Sequence, residues 1–179
     1  DGIPTLKAGS TIGIPSPPAI AFPNGEISVP DIRDAERLQG FPANWTEPAQ
    51  DIARASIRWR LVGNAVTVDT VAWIAKKIRF PHPYSNLEDK PLVFSTKKKN
   101  WPKAAWGMNG QRFESNVSKY PTKRRKVSLE DFLLYPRKSL SLKAITGFEK
   151  RLLTGRMTSP EYFRKAIHNH KLLMEQDHG

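Results

Sequence analysis

The chain has no cysteine among its 179 residues. Disulfides, thiolate metal sites and thiol nucleophiles are therefore all excluded, a composition that fits a reducing cytoplasm. No run of about 18 apolar residues occurs, which excludes a membrane-spanning helix. The first residues, Asp1-Gly2-Ile3-Pro4, show neither an initiator Met nor a charged-then-apolar signal pattern, so the sequence reads as a piece of a longer chain. Histidine is scarce, 4 in all. His168 and His170 stand two apart on a helix and point to different sides, so no metal site is expected.

Acid is also in short supply, with 29 Lys and Arg against 17 Asp and Glu, a net charge of +12. The surplus is uneven: 9 against 8 in residues 1–79, and 20 against 9 in residues 80–179. This is the pattern of a surface that meets polyanionic DNA or RNA, the alternative being a solubilising basic face. The 15 prolines and 11 glycines imply many turns, and 39% apolar content is enough for one core with an appendage.

Two stretches organise the rest. The first, Arg58-Trp59-Arg60-Leu61-Val62-Gly63-Asn64-Ala65-Val66-Thr67-Val68, reads as a tight turn feeding a helix. Gly63 and Asn64 most easily take left-handed backbone angles, and Val68, Val71, Ala72, Ala75 and Ile78 recur at helical spacing to about Arg79. Free N–H groups at such a helix start suit a carboxylate or phosphate, although a loop-to-helix junction alone has the same look. The second stretch runs from Pro30 to Trp45 and contains Leu38-Gln39-Gly40-Phe41-Pro42. Its helix is expected to begin at Pro30, with Asp31 and Asp34 near the N-terminus, and to stop at Gly40. Ile32, Ala35 and Leu38 share a packing face. Arg33 and Arg37 share another, where they contact DNA phosphate or pair with Asp34 or Glu36.

In this order and spacing the two stretches resemble the ninth and tenth sequence motifs of the DNA cytosine-5 methyltransferases, over residues 2 to 79. Asp34 stands where the family usually has Glu, Pro30-Asp31 replaces a Leu-Thr pair, and Leu61 occupies the usual Gln position. The resemblance implies an α+β fragment of an α/β class I, Rossmann-like methyltransferase. Residues 1–50 would end the target-recognition domain, and 51–80 would carry the return turn and helix to the catalytic domain. A basic linker over 81–127 and a helical extension over 128–179 would follow. It also implies that Asn64, Ala65 and Val66 line the methionine end of S-adenosylmethionine. Family members attack C6 of cytosine with a Cys thiolate and hold the cofactor on a Gly-rich loop. Neither is here, so this chain alone is expected to be inactive. The implied partners are double-stranded DNA and the N-terminal catalytic domain of the same enzyme, in the cytoplasm of a bacterium with a restriction-modification system. The rival is a non-enzymatic DNA-binding or regulatory subunit of a split methyltransferase.

Elsewhere, Asn24-Gly25 predicts a hairpin between Ile20-Ala21-Phe22 and Glu26–Val29, and Asn109-Gly110 predicts another before Gln111. Residues 81–100 read as a linker. Trp101 and Trp106, interleaved with Lys103, either stack on nucleotides or anchor the extension. The cluster Lys123-Arg124-Arg125-Lys126 reads as a phosphate contact or a solvated loop. Three amphipathic helices are expected to form a small cap, opening at Ser128, Ser141 and Ser159, the last with Pro160 in its first position.

Overall fold

The computed structural model describes residues 5–7, 17–92, 102–117, 127–155 and 158–176. The chain divides into two compact units: residues 1–73 with 127–179, and residues 74–126. In chain order the elements are β1 (Ile20–Ala21), β2 (Ile27–Val29), α1 (Ile32–Leu38), a 3₁₀ turn over Glu47–Asp51, α2 (Ile57–Asn64) and α3 (Val68–Arg79). There follow β3 (Lys90–Pro91), β4 (Ala105–Met108), β5 (Gln111–Glu114), α4 (Leu129–Phe132), β6 (Lys138–Ser139), α5 (Leu142–Thr154) and α6 (Glu161–Gln176).

The first unit is built on the Asn24-Gly25 hairpin, which forms as its residues require. Gly25 takes φ +87°, and the Asn24 side chain accepts from the Glu26 amide at 3.0 Å. Ile20 pairs with Ser28 and Ala21 with Ile27, antiparallel. The opposite edge of β2 is taken by β6, with Ser28 against Ser139 and Val29 against Lys138. Strand order is thus β1-β2-β6. Arg137 fixes this return by bonding Glu26 at 2.9 Å and lying 4.1 Å over the Phe22 ring.

Ile27 faces α5 and α6, where Ile145, Leu152 and Ile167 close one apolar cluster flanked by Leu140, Leu142 and Phe163. Burial of each such side chain stabilises by about 1.5–3 kcal/mol. The expected three-helix cap is therefore two helices packed on a sheet, because α4 is only four residues long. Ser128 and Ser141 cap their helices, accepting from the amides of Asp131 and Ala144. Ser159 does not: its buried hydroxyl has no hydrogen-bond partner, and the first-turn amides of α6 bond the Pro160 carbonyl instead. His170 is buried with its ring 2.9 Å from the Leu140 carbonyl, whereas His168 is exposed.

The second unit holds a sheet of order β3-β5-β4. Lys90-Pro91, within the stretch that reads as linker, pairs with Glu114 and Phe113. Asn109 and Gly110 take φ 52° and 77°, the paired positive angles of a tight hairpin turn. Trp106 stacks on Phe113 with ring centroids 4.6 Å apart, and Tyr84 meets Trp106 edge-on. Asp89 accepts from Tyr84 and from the Trp106 indole, both at 2.8 Å. No helix among the described residues is long and apolar enough to cross a membrane.

Candidate functional site

The two motif stretches meet in the first unit. Asp31 caps α1, accepting from the Arg33 amide at 2.9 Å, so the helix begins at Ile32 and Pro30 lies before the cap. Asp34, Ala35 and Glu36 are its buried residues. Two of the three are acids, and each is satisfied by named donors. Asp34 accepts from Arg37 at 2.5 Å and from the amides of Leu134 and Tyr135 at 3.1 and 3.0 Å. Glu36 accepts from the amides of Asn44 and Thr46 at 2.6 and 2.9 Å, from the Thr46 hydroxyl, and from Arg58 at 3.0 Å. Burial pushes the Glu36 carboxyl up, but the bonds from Thr46 and Arg58 outweigh it and hold it below the ordinary range.

The Glu36–Arg58 pair ties the first turn of α2 to α1, and at the far end of α2 the structure departs from the expected turn. Gly63 and Asn64 are the last residues of a right-handed helix from Ile57, and neither has positive φ. The break falls at Ala65, in extended geometry with φ −71° and ψ 147°. Gln39 supplies the reason. Its side-chain amide donates to the Val62 carbonyl at 3.2 Å and reaches the Ala65 carbonyl at 3.5 Å, while its oxygen accepts from the Thr67 hydroxyl at 2.8 Å. Its backbone carbonyl accepts from the Val68 amide at 2.9 Å. A side chain from the other motif thus terminates α2 and opens α3, with no left-handed residue needed. Gly40 allows the approach, at φ +86° with a Cβ position 3.2 Å from Val68 Cβ.

Asn64 and Val66 are exposed and Ala65 is half-buried on the outer side of this strap. The Ala65 amide is already bonded to the Val62 carbonyl, which leaves the Asn64 amide as the polar group presented there. The segment is a solvent-facing strip, a small side chain beside a donor-acceptor amide, and not an enclosed pocket. On α3 the apolar residues foreseen from the sequence are exposed, Ile78 at 75%.

Arg33 and Arg37 lie elsewhere on α1. Arg33 bonds both carboxylate oxygens of Asp31 and stacks 3.9 Å over the Tyr135 ring. Arg37 bonds Asp34 and the Phe132 carbonyl and stacks 4.4 Å over the Phe132 ring. Both keep part of their side chains exposed. Lys123, Arg124, Arg125 and Lys126 lie outside the described residues. Sequence reasoning missed the organising roles of Glu36, Thr46, Arg58 and Gln39. An acid beside Ala35 on a short amphipathic helix, with an Arg 22 positions on, was the available signal.

The type II methyltransferase M2.BsuMI of Bacillus subtilis (strain 168) is 38% identical to this chain over 174 residues, covering 94% of the chain and 43% of the relative. This chain is similar to a methyltransferase. The match runs through both motif stretches and through residues 74–126, since so little of the chain lies outside it. The chain spans less than half the length of that relative. No family model matches the sequence, and no solved structure matches the fold.

Proposed function

We propose that this chain is the C-terminal part of a DNA cytosine-5 methyltransferase of a bacterial restriction-modification system. The observation that carries the reading is the Gln39 strap, which joins the ninth-motif and tenth-motif stretches and holds Asn64, Ala65 and Val66 outward. In this reading those three residues form one wall of the S-adenosylmethionine site, with the Asn64 amide bonding the cofactor's carboxylate and Ala65 allowing close approach. The bound cofactor supplies the methyl group that goes to C5 of cytosine. The target base is flipped out of the duplex, because its reactive edge is inaccessible within the stack. The nucleophile must come from the rest of the enzyme, since this chain has no cysteine. Arg33, Arg37 and the 123–126 cluster contact DNA phosphates. The exposed apolar face of α3, with Val71 and Ile78, docks on the catalytic domain.

The test is transfer of labelled methyl from S-adenosylmethionine to DNA. The chain is assayed alone and mixed with the region of M2.BsuMI that it does not cover. Activity is expected only in the mixture, and Asn64→Trp should abolish it while assembly persists. Gln39→Ala should raise the KM for S-adenosylmethionine more than it lowers kcat, because it displaces the wall without touching the reacting atoms. No transfer in a mixture that demonstrably assembles would overturn the enzyme reading in favour of a non-enzymatic DNA-binding subunit.

A further inference from the structure

The fold redistributes the charge in a way that the sequence halves conceal. Residues 74–126 hold 14 Lys and Arg against 3 Asp and Glu, a net +11, whereas residues 1–73 with 127–179 hold 15 against 14, a net +1. Nearly the whole excess of the protein therefore lies in one compact unit of 53 residues, and the helical end of the chain, 127–179, has only 9 bases against 6 acids. The three acids of the basic unit are already counted in its net +11. Asp89 is turned inward to Tyr84 and Trp106, Glu88 bonds Asn116, and Glu114 is half-buried. Lys76, Lys90, Lys103 and Arg112 are exposed.

We infer that residues 74–126 form a phosphate-contacting module that takes the backbone of duplex DNA without reading its sequence. The inference rests on the methyltransferase reading for the choice of DNA. The aromatic arrangement selects duplex over single strand. A single-strand platform offers ring faces to successive bases. Here the half-buried rings of Trp106 and Phe113 stack on each other, Tyr84 meets Trp106 edge-on with its hydroxyl bonded to Asp89, and the Trp106 indole is bonded to Asp89 as well. The sheet's rings thus face one another rather than forming a row of free faces, although Tyr84 itself is exposed. The cations among the unit's described residues are exposed, and so large a net charge suits a regular array of phosphates and makes binding strongly salt-dependent. The near-neutral unit carries no such surplus and supplies little of this attraction.

The experiment measures binding of the whole chain to a short labelled duplex of arbitrary sequence across a salt series, without cofactor or catalysis. One variant carries Lys97→Gln, Lys98→Gln, Lys99→Gln and Lys103→Gln. A matched variant removes four cations of the other unit through Lys138→Gln, Lys143→Gln, Lys150→Gln and Lys165→Gln. The first should flatten the plot of log affinity against log salt by roughly 0.9 for each phosphate that is no longer neutralised, and the second should leave the slope unchanged. A further variant, Lys123→Gln with Arg124→Gln and Arg125→Gln, should flatten it independently. Equal flattening by the matched variant would overturn the assignment to this unit, leaving only a general charge effect. Tighter binding to a single strand of the same length would overturn the duplex. Neither result touches methyl transfer, so the module and the enzyme reading fail separately.

Discussion

In the first unit the polar ties run far along the sequence: Asp34 bonds the amides of Leu134 and Tyr135, 100 and 101 positions away, and Arg137 bonds Glu26 across 111 positions. In the second they are shorter: Asp89 to Tyr84 across 5 positions and to Trp106 across 17, Glu88 to Asn116 across 28, and Tyr84 to Ser115 across 31. The first unit thus closes only when distant segments meet, and it buries the carboxyl groups of Asp34 and Glu36 to make them meet. The second is assembled from a hairpin and its neighbours, and the cations among its described residues are exposed. A buried carboxylate is costly unless every lone pair finds a donor, so the first unit should be sensitive to single polar changes and the second tolerant of them.

The largest expected effect tests that sensitivity. Glu36→Gln leaves Arg58 buried without its partner and should cost about 3–5 kcal/mol in urea unfolding. The indole N–H resonance of Trp106, a reporter on the second unit, should stay where it is. Because the folded Glu36 pKa lies below its ordinary value of 4.5, the stability it contributes is fully present above that pH and is lost as pH falls through the folded value. The deficit of Glu36→Gln should therefore shrink as the medium is acidified below about pH 4.5. A loss under about 1 kcal/mol, the range of an exposed ion pair, would break the contrast between the units.

A matched pair of glycines comes next. Gly40 and Gly110 both take positive φ, so alanine at either is strained by about 1–2 kcal/mol. At Gly110 nothing lies within 4 Å of the added Cβ, and the strain should be the whole effect. At Gly40 the new atom meets Val68 Cβ at 3.2 Å, and Val68 is held by the Gln39 carbonyl. Gly40→Ala should therefore cost roughly 2–4 kcal/mol, since crowding adds to strain. Equal shifts in unfolding midpoint for the two would mean that the strap yields.

What was legible beforehand was local. Asn24-Gly25 and Asn109-Gly110 announced their hairpins because the turn chemistry resides in the dipeptide itself. Ser141 announced the start of α5 for the same reason. The two motif stretches were found, but not the bond between them. Gln39 acts on carbonyls 23 and 26 positions away, which no periodicity reports. Gly63-Asn64 misled because a glycine-asparagine pair favours a turn only where nothing else ends the helix. β6 was invisible, as two residues carry no alternation; it exists because Ile27 offers its carbonyl to Leu140 and the β2 edge recruits it. The buried acids were hidden by their type, since carboxylates are read as surface until their donors are seen.

The smallest effects ask whether the first unit, held by distant ties, also leans on its local ones. Ser141 and Ser159 look alike in the sequence, each a serine just before an amphipathic helix. Ser141 accepts from the Ala144 amide, so Ser141→Ala should cost about 1 kcal/mol, the usual value of an N-cap. The Ser159 hydroxyl is buried and bonded to nothing, so its removal exposes no unmet partner. Ser159→Ala should leave the urea midpoint unchanged or raise it slightly. A loss of several kcal/mol at Ser141 would place the stability of α5 in its own first turn. The cluster of Ile27, Ile145, Leu152 and Ile167 would then be a consequence of the helix rather than its cause, and the distinction between a unit closed by distant contacts and one built locally would dissolve.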